Sequence, residues 1–399
     1  MATSSWNNNR VRGKRSGTRI GLVVIGLICI LALLGCGTGG GDDAASIMNP
    51  SAPPASDAAF VLTTDFSTGS YSVVDLATRN TFDDIELGGV SSDAIARVFN
   101  GLVYVVNRFG ADNIQLIDPQ QGYQTVAQES VGNGSNPQDI AVVSAQKAYV
   151  SRLNSDQLLI IDPATLMPTG NPIDLSGLTK QNDLDGVPDL FRMLVHNGLL
   201  YVLVQHIDFT AGFPPAKVAP GEVAVIDPTT DTVQTVIQLH GTNPNTDLQF
   251  SPDLNRILVS SQGDFLVNDG GLEAIDPDTL TVDPGFVISE AAIGGDITHF
   301  QAVSARKGYA VVVAANSDNA LVSFDPTTGQ KLATLLGPVP VFLSYFAVNS
   351  RHELYLAVTD TATSTPGLRI FDTVQDVELT RQPLGVGELP PVWVGFIEE

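Results

Sequence analysis

Seven times between Asp75 and Asp372 the chain returns to an apolar strand that ends in aspartate, in most copies followed by proline and small turn-forming residues. The copies read SVVDLAT around Asp75, LIDPQ at Asp118, IIDPAT at Asp162, VIDPTT at Asp227, AIDPDT at Asp276, SFDPTTG at Asp325 and IFDT at Asp372. Successive anchors lie 43, 44, 65, 49, 49 and 47 residues apart. A period of this size restricts the chain to a repeat architecture, because each unit must bury its apolar face against its neighbours.

Upstream of the anchors lie short β-branched and aromatic runs, such as 102–106 (LVYVV), 147–150 (KAYV), 200–203 (LYVL) and 354–357 (LYLA). These are strand compositions. Further upstream is another strand that opens on a polar residue, as at 139–143 and 296–300, and downstream of each anchor is a fourth, as at 235–239. Four antiparallel strands in about 45 residues make one propeller blade. Proline presets φ for a type I turn while the aspartate carboxylate accepts backbone N–H groups, which places the corner between third and fourth strands. At Gly329 the glycine supplies the positive φ that closes the hairpin. No helical periodicity of useful length follows residue 57.

The predicted fold is therefore all-β, a seven-bladed β-propeller of four-stranded antiparallel blades. The first copy lacks an innermost strand, since 59–63 reads as its second, and 392–396 beyond the seventh copy can supply it. That overlap would remove the sheet edge an open ring exposes.

With YVVN at 104–107 and GSNPQDIAV at 134–142, each followed by a strand and Ile-Asp-Pro, the chain resembles the YVTN-type β-propeller repeat family over about residues 57–399. The resemblance implies the fold and little about function, because such propellers host many roles. WD dipeptides and kelch-type Gly-Gly pairs at repeat spacing are absent. So is the regular tryptophan motif of quinone-cofactor propellers, the only tryptophans being Trp6 and Trp393.

Residues 1–35 read as a signal peptide. Arg10, Arg12, Lys14, Arg15 and Arg19 precede an apolar run at 20–34, whose roughly 15 residues are short for a bilayer span. The run ends in Leu33, Leu34, Gly35 and Cys36, which resembles a bacterial lipobox. That resemblance implies cleavage before Cys36 and its lipidation, in a bacterial lipoprotein. Cys29 lies in the removed segment, so Cys36 would be the sole thiol and no internal disulfide is expected. Residues 36–56 are rich in Gly, Pro and Ser and read as a flexible tether, followed by the propeller at 57–399. By analogy with bacterial sorting, Gly37 favours the outer membrane, on its periplasmic or its surface side.

The chain carries 20 basic and 43 acidic residues, and five of the basic ones lie in the signal. Nucleic acid is excluded, because phosphate binding rests on clustered Lys and Arg. The acidity fits either solubility of an extracytoplasmic domain or collection of cations.

In a propeller the inter-blade links and the loops between second and third strands share a face, and the long insertions 205–221, 262–270 and 359–366 fall there. Loops gathered on a rigid scaffold suit recognition, with Phe209 and Phe213 as partner contacts, although neutral insertion is the other reading. On the same face, 181–189 (QNDLDGVPD) offers Gln181, Asp183, Asp185 and Asp189 as oxygen ligands around Gly186. It resembles the calcium loops of thrombospondin type 3-like repeats, with Gln181 where an aspartate would stand. The other reading makes Asp189 an ordinary turn residue with solvated acids upstream.

Five inner strands open on an acid: Asp93, Asp139, Asp189, Asp247 and Asp296. These either ring the channel mouth, where like charges raise one another's pKa, or cap their own turns. His196, His206, His240, His299 and His352 show no zinc spacing, and no nucleophile elbow or phosphate loop is present. The sequence thus favours a monomeric, lipid-anchored envelope module that binds a protein or glycan through an acidic loop face. A metal-dependent, lactonase-like hydrolase or lyase at the channel mouth is the alternative.

Overall fold

The structure is a computed structural model and describes residues 52–210, 212–359 and 365–398. The signal peptide, Cys36, the tether up to residue 51 and most of the insertion 359–366 lie outside the described residues.

Seven antiparallel blades follow one another around an axis, and the fold is the expected seven-bladed β-propeller. In the second blade the strands run outward as Ala94–Phe99, Leu102–Asn107, Asn113–Asp118 and Gln124–Ser130. The first blade departs from chain order. Its innermost strand is the C-terminal Pro391–Ile397, paired with Ala58–Thr64 in the register Val61 to Val394 and Ala59 to Phe396. The chain ends thereby close the ring by main-chain hydrogen bonds.

Burial follows from covering each blade on both faces. The second strands Leu102–Asn107 and Leu199–Val204 are near-continuous apolar runs with almost no exposed residue. The outer strand Gln124–Ser130 alternates exposed and half-buried residues, since it sits at the rim. One core cluster joins Phe60, Val105 and Val150 from three successive blades, so the blades share their hydrophobic core.

All seven anchors form the expected corner. The Oδ1 of Asp75, Asp118, Asp162, Asp227, Asp276, Asp325 and Asp372 each accepts the N–H two residues on, at 2.7–2.9 Å. The residue four places on has positive φ in every corner, at Arg79, Gly122, Leu166, Asp231, Leu280, Gly329 and Asp376, so glycine fills this role in only two of the seven. The two aspartates among these residues also lock neighbouring blades together, as Arg79 does through Glu353 at 2.9 Å. Asp231 receives Lys147 Nζ at 2.7 Å and the Tyr149 hydroxyl, while Asp376 receives Lys307 Nζ at 2.8 Å and the Tyr309 hydroxyl at 2.6 Å.

The corners turn on one face and the long insertions on the other. The insertion 205–221 adds a two-stranded ribbon, Ile207–Asp208 with Ala216–Lys217. The fifth blade gains a short strand, Ile288–Ser289, that pairs with Gly271–Asp276.

Candidate functional site: the channel mouth and its loops

Each inner strand starts at the loop-rich face, which brings its opening residues to the channel mouth. Of the five opening acids, only Asp93 and Asp247 line the axial cavity of about 260 Å³. Asp139 is fully buried, and its carboxylate accepts the N–H groups of Ile140 and Met193, both at 2.8 Å. Asp189 accepts the Ile207 N–H at 2.9 Å. Asp296 accepts the Leu266 N–H at 2.7 Å and Gln262 Nε2 at 3.0 Å, and burial pushes its carboxyl up. Each of these three carboxylates accepts main-chain N–H groups from another strand or loop, and the five do not converge on one point.

Cations instead occupy the axis. Arg97, on the inner strand Ala94–Phe99 that Asp93 precedes, forks between two carboxylates. Its Nε and Nη2 reach the two oxygens of Asp139 at 2.7 and 3.0 Å, and Nη2 and Nη1 reach those of Asp247 at 2.7 and 3.2 Å. Asp247 further receives Arg192 Nε at 3.2 Å and the Tyr345 hydroxyl at 2.8 Å. Burial opposes its ionisation, but the two guanidiniums override this and hold its carboxyl far below the usual carboxylate range. Burial lowers Arg192 to about 10 against the pull of Asp247, with the like charges of Arg108 and Arg97 adding to the effect. Arg108 pairs with Asp93.

The remaining wall is aromatic. Trp393 lies 5.7 Å from Tyr345, which lies 3.8 Å from His299. Burial pushes His299 down to about 4, against the attraction of Asp247, so the ring is neutral near pH 7. Its Nε2 is 2.8 Å from the Phe346 carbonyl oxygen, and a neutral ring must place its proton there as donor. Sequence reasoning missed Arg97, Arg108 and Arg192. A usable signal existed for two of them, since Arg97 and Arg192 interrupt otherwise apolar inner strands shortly after the opening acid.

In the link between the third and fourth blades, Asp183, Asp185 and Asp189 each offer a carboxylate oxygen within 4.8 Å of the others. Burial, then the charge of Asp185, pushes Asp183 up to about 6. Burial pushes Asp189 up to about 8 against the Ile207 N–H, with Asp185 and Asp183 adding. Gln181 is exposed on the same loop. Asp189 therefore belongs with this cluster and not with the channel cavity.

Phe209 and Phe213 are exposed in the 205–221 insertion, and the Phe213 ring meets that of Phe265 edge-on at 6.4 Å. Phe66, Phe109 and Phe342 are also exposed in loops of this face.

No known family model matches the sequence, and no curated protein is similar to it in sequence. Among solved structures, the fold is similar to that of the dihydro-heme d1 dehydrogenase NirN in complex with DHE. The TM-score is 0.56 at 14% identity, covering 87% of this chain and 78% of that one. It is also similar to a functionally unknown protein from Desulfotomaculum acetoxidans DSM 771, with TM-score 0.52 and 14% identity, covering 85% of this chain and 99% of that one. At such identities the likeness is one of fold alone.

Proposed function

We propose that the propeller is a non-catalytic binding module that receives a protein partner on its loop-rich face. The observation that carries this reading is the distribution of exposed aromatic rings. Among the described residues six of the 17 phenylalanines are exposed: Phe66, Phe109, Phe209, Phe213, Phe265 and Phe342. All six sit in loops of the channel-mouth face, and none at the corners opposite. Exposed aromatics gathered on one face, among polar residues such as Lys217, Asp264 and Asp269, have the make-up of a protein interface. Phenylalanine has no polar tip for sugar hydroxyls, which favours a protein over a glycan.

The hydrolase or lyase reading is weaker because the carboxylates and the histidine of the cavity are already paired. Asp247 accepts from three side chains, the Tyr345 hydroxyl donates to it, and the His299 proton faces a carbonyl oxygen. A general base needs a pKa near the working pH and a free lone pair, and these pairs offer neither in combination. The same proposal places the module in the bacterial envelope as a monomeric lipoprotein and a divergent relative of the YVTN-type propellers. It would be anchored through Cys36, on the outer membrane.

Capture of partners from native envelopes tests this, with wild type beside a Phe213→Ser, Phe265→Ser double variant. A protein held by the wild type and released by the variant supports the reading. Equal capture, or capture of a polysaccharide instead, overturns it. Retention of Cys36→Ser in the membrane fraction would overturn the anchor.

A further inference from the structure

The acidic link before the fourth blade carries chemistry that partner binding does not use. Asp183 is about nine-tenths buried, and neither of its carboxylate oxygens has a hydrogen-bond partner. An unpaired buried carboxylate is costly unless it is protonated or meets a cation. Its surroundings make that cost worse, since Asp185 and Asp189 turn oxygens toward the same spot. The one base in the segment, Lys180, reaches away to Glu222 at 2.7 Å.

We propose that Asp183, Asp185 and Asp189 form a binding site for a divalent cation of the calcium class. Two oxygens that share one calcium ion at 2.3–2.6 Å lie at most about 5 Å apart. The three carboxylates meet that limit at 4.8 Å. Calcium takes oxygen ligands in flexible geometry and tolerates a mixture of carboxylate, main-chain carbonyl and water. Gly186, at φ 78°, lets the chain turn between Asp185 and Asp189. Magnesium demands a tighter octahedron, which a loop with three spread carboxylates suits less well.

The site also has a mechanical consequence. The second oxygen of Asp189 accepts the Ile207 N–H at 2.9 Å, and Asp208 adds negative charge to both Asp183 and Asp189. A bound divalent cation would offset most of this negative charge and fix the link against the base of the loop that carries Phe209 and Phe213. This inference stands whether or not those rings contact a partner.

The test is calcium titration of the full chain after stripping with EDTA, followed by calorimetry and by thermal melting, with magnesium in parallel. Calcium is expected to bind and to raise the melting midpoint by several degrees, magnesium less, because a ligand of the native state stabilises it. Asp183→Asn should melt no lower than wild type in EDTA, as it relieves repulsion, and should lose the calcium shift. Asp185→Asn, at an exposed position, provides the same readout should Asp183→Asn fold poorly. Absence of calcium binding to the wild type, or an undiminished shift in the folded variants, overturns the proposal.

Discussion

Arg97 of the second blade and Asp247 of the fifth meet across the channel, Nη2 to Oδ1 at 2.7 Å. The same guanidinium holds Asp139 of the third blade, and Asp247 also takes Arg192 of the fourth and Tyr345 of the seventh. The network joins blades that are not neighbours in the ring, so it braces the ring through its centre. Removing Arg97 leaves the buried Asp139 and the cavity-lining Asp247 without their main counter-charge. Arg97→Ala is expected to cost about 3 kcal/mol, in the range for breaking a buried pair. Adding Asp139→Asn should recover part of that loss, because the stranded charge rather than the lost contact dominates. Urea unfolding of the single and double variants checks this, and an additive double variant would contradict it.

Glu290 gives stability a pH dependence of defined sign. It is fully buried, accepts the Gly270 N–H at 2.9 Å, and burial, with the charge of Asp296 adding, pushes its carboxyl up to about 8. The folded protein therefore keeps a proton that the unfolded chain releases near pH 4.5. Stability from this group is fully present below that pH and falls as pH rises toward 8. Glu290→Gln removes the titration, so it should flatten the decline between about pH 5 and 8. The loss it removes is on the order of a few kcal/mol at pH 8. Melting across that range for both proteins decides the matter, and parallel curves would refute it.

How much of this was legible in the sequence depends on the range of the interactions. The corners are local: Asp325 bonds the N–H groups of Thr327 and Thr328, so spacing alone revealed them and with them the seven blades. Ring closure was legible because the first copy visibly lacked a strand. The axial network was not, since Arg97 finds partners 42 and 150 residues away, and nothing local says which carboxylate an arginine will reach. The same limit applied to the five opening acids. They share a position in the repeat, yet their surroundings differ, with Arg97 beside Asp139 and Asp247 and only backbone and an amide beside Asp296. The acidic link was visible as a string of acids, whereas the burial of Asp183 depends on the fold.

The corner face supplies a second kind of brace. Asp231 joins the fourth blade to Lys147 and Tyr149 of the third, and Asp376 joins the seventh to Lys307 and Tyr309 of the sixth. Both aspartates sit at positive φ, where asparagine is equally tolerated, so Asp→Asn removes the charge without adding strain. Each change should cost about 1 kcal/mol, a typical value for a charge-assisted hydrogen bond that survives in neutral form. The two sites share no partner, so the double variant should be additive. Chemical denaturation measures both, and a saving in the double variant would mean that the clasps are coupled.

Closure of the ring makes the two chain ends of the propeller one cooperative unit. Val394 is fully buried and pairs with Val61, between the first and seventh blades' apolar side chains. Val394→Asp would bury an unpaired charge there, and the strand Pro391–Ile397 can escape this by leaving the sheet. Ala58–Thr64 then becomes an open edge. The expected cost is about 4 kcal/mol or more, against about 2 kcal/mol for Val394→Ala, which leaves a cavity and no charge. Hydrogen exchange distinguishes local from global loss. The amides of Ala58–Thr64 and Pro391–Ile397 should lose protection together in Val394→Asp while the fourth blade keeps its own. Retained protection of Ala58–Thr64 would mean that the first blade holds without its C-terminal strand.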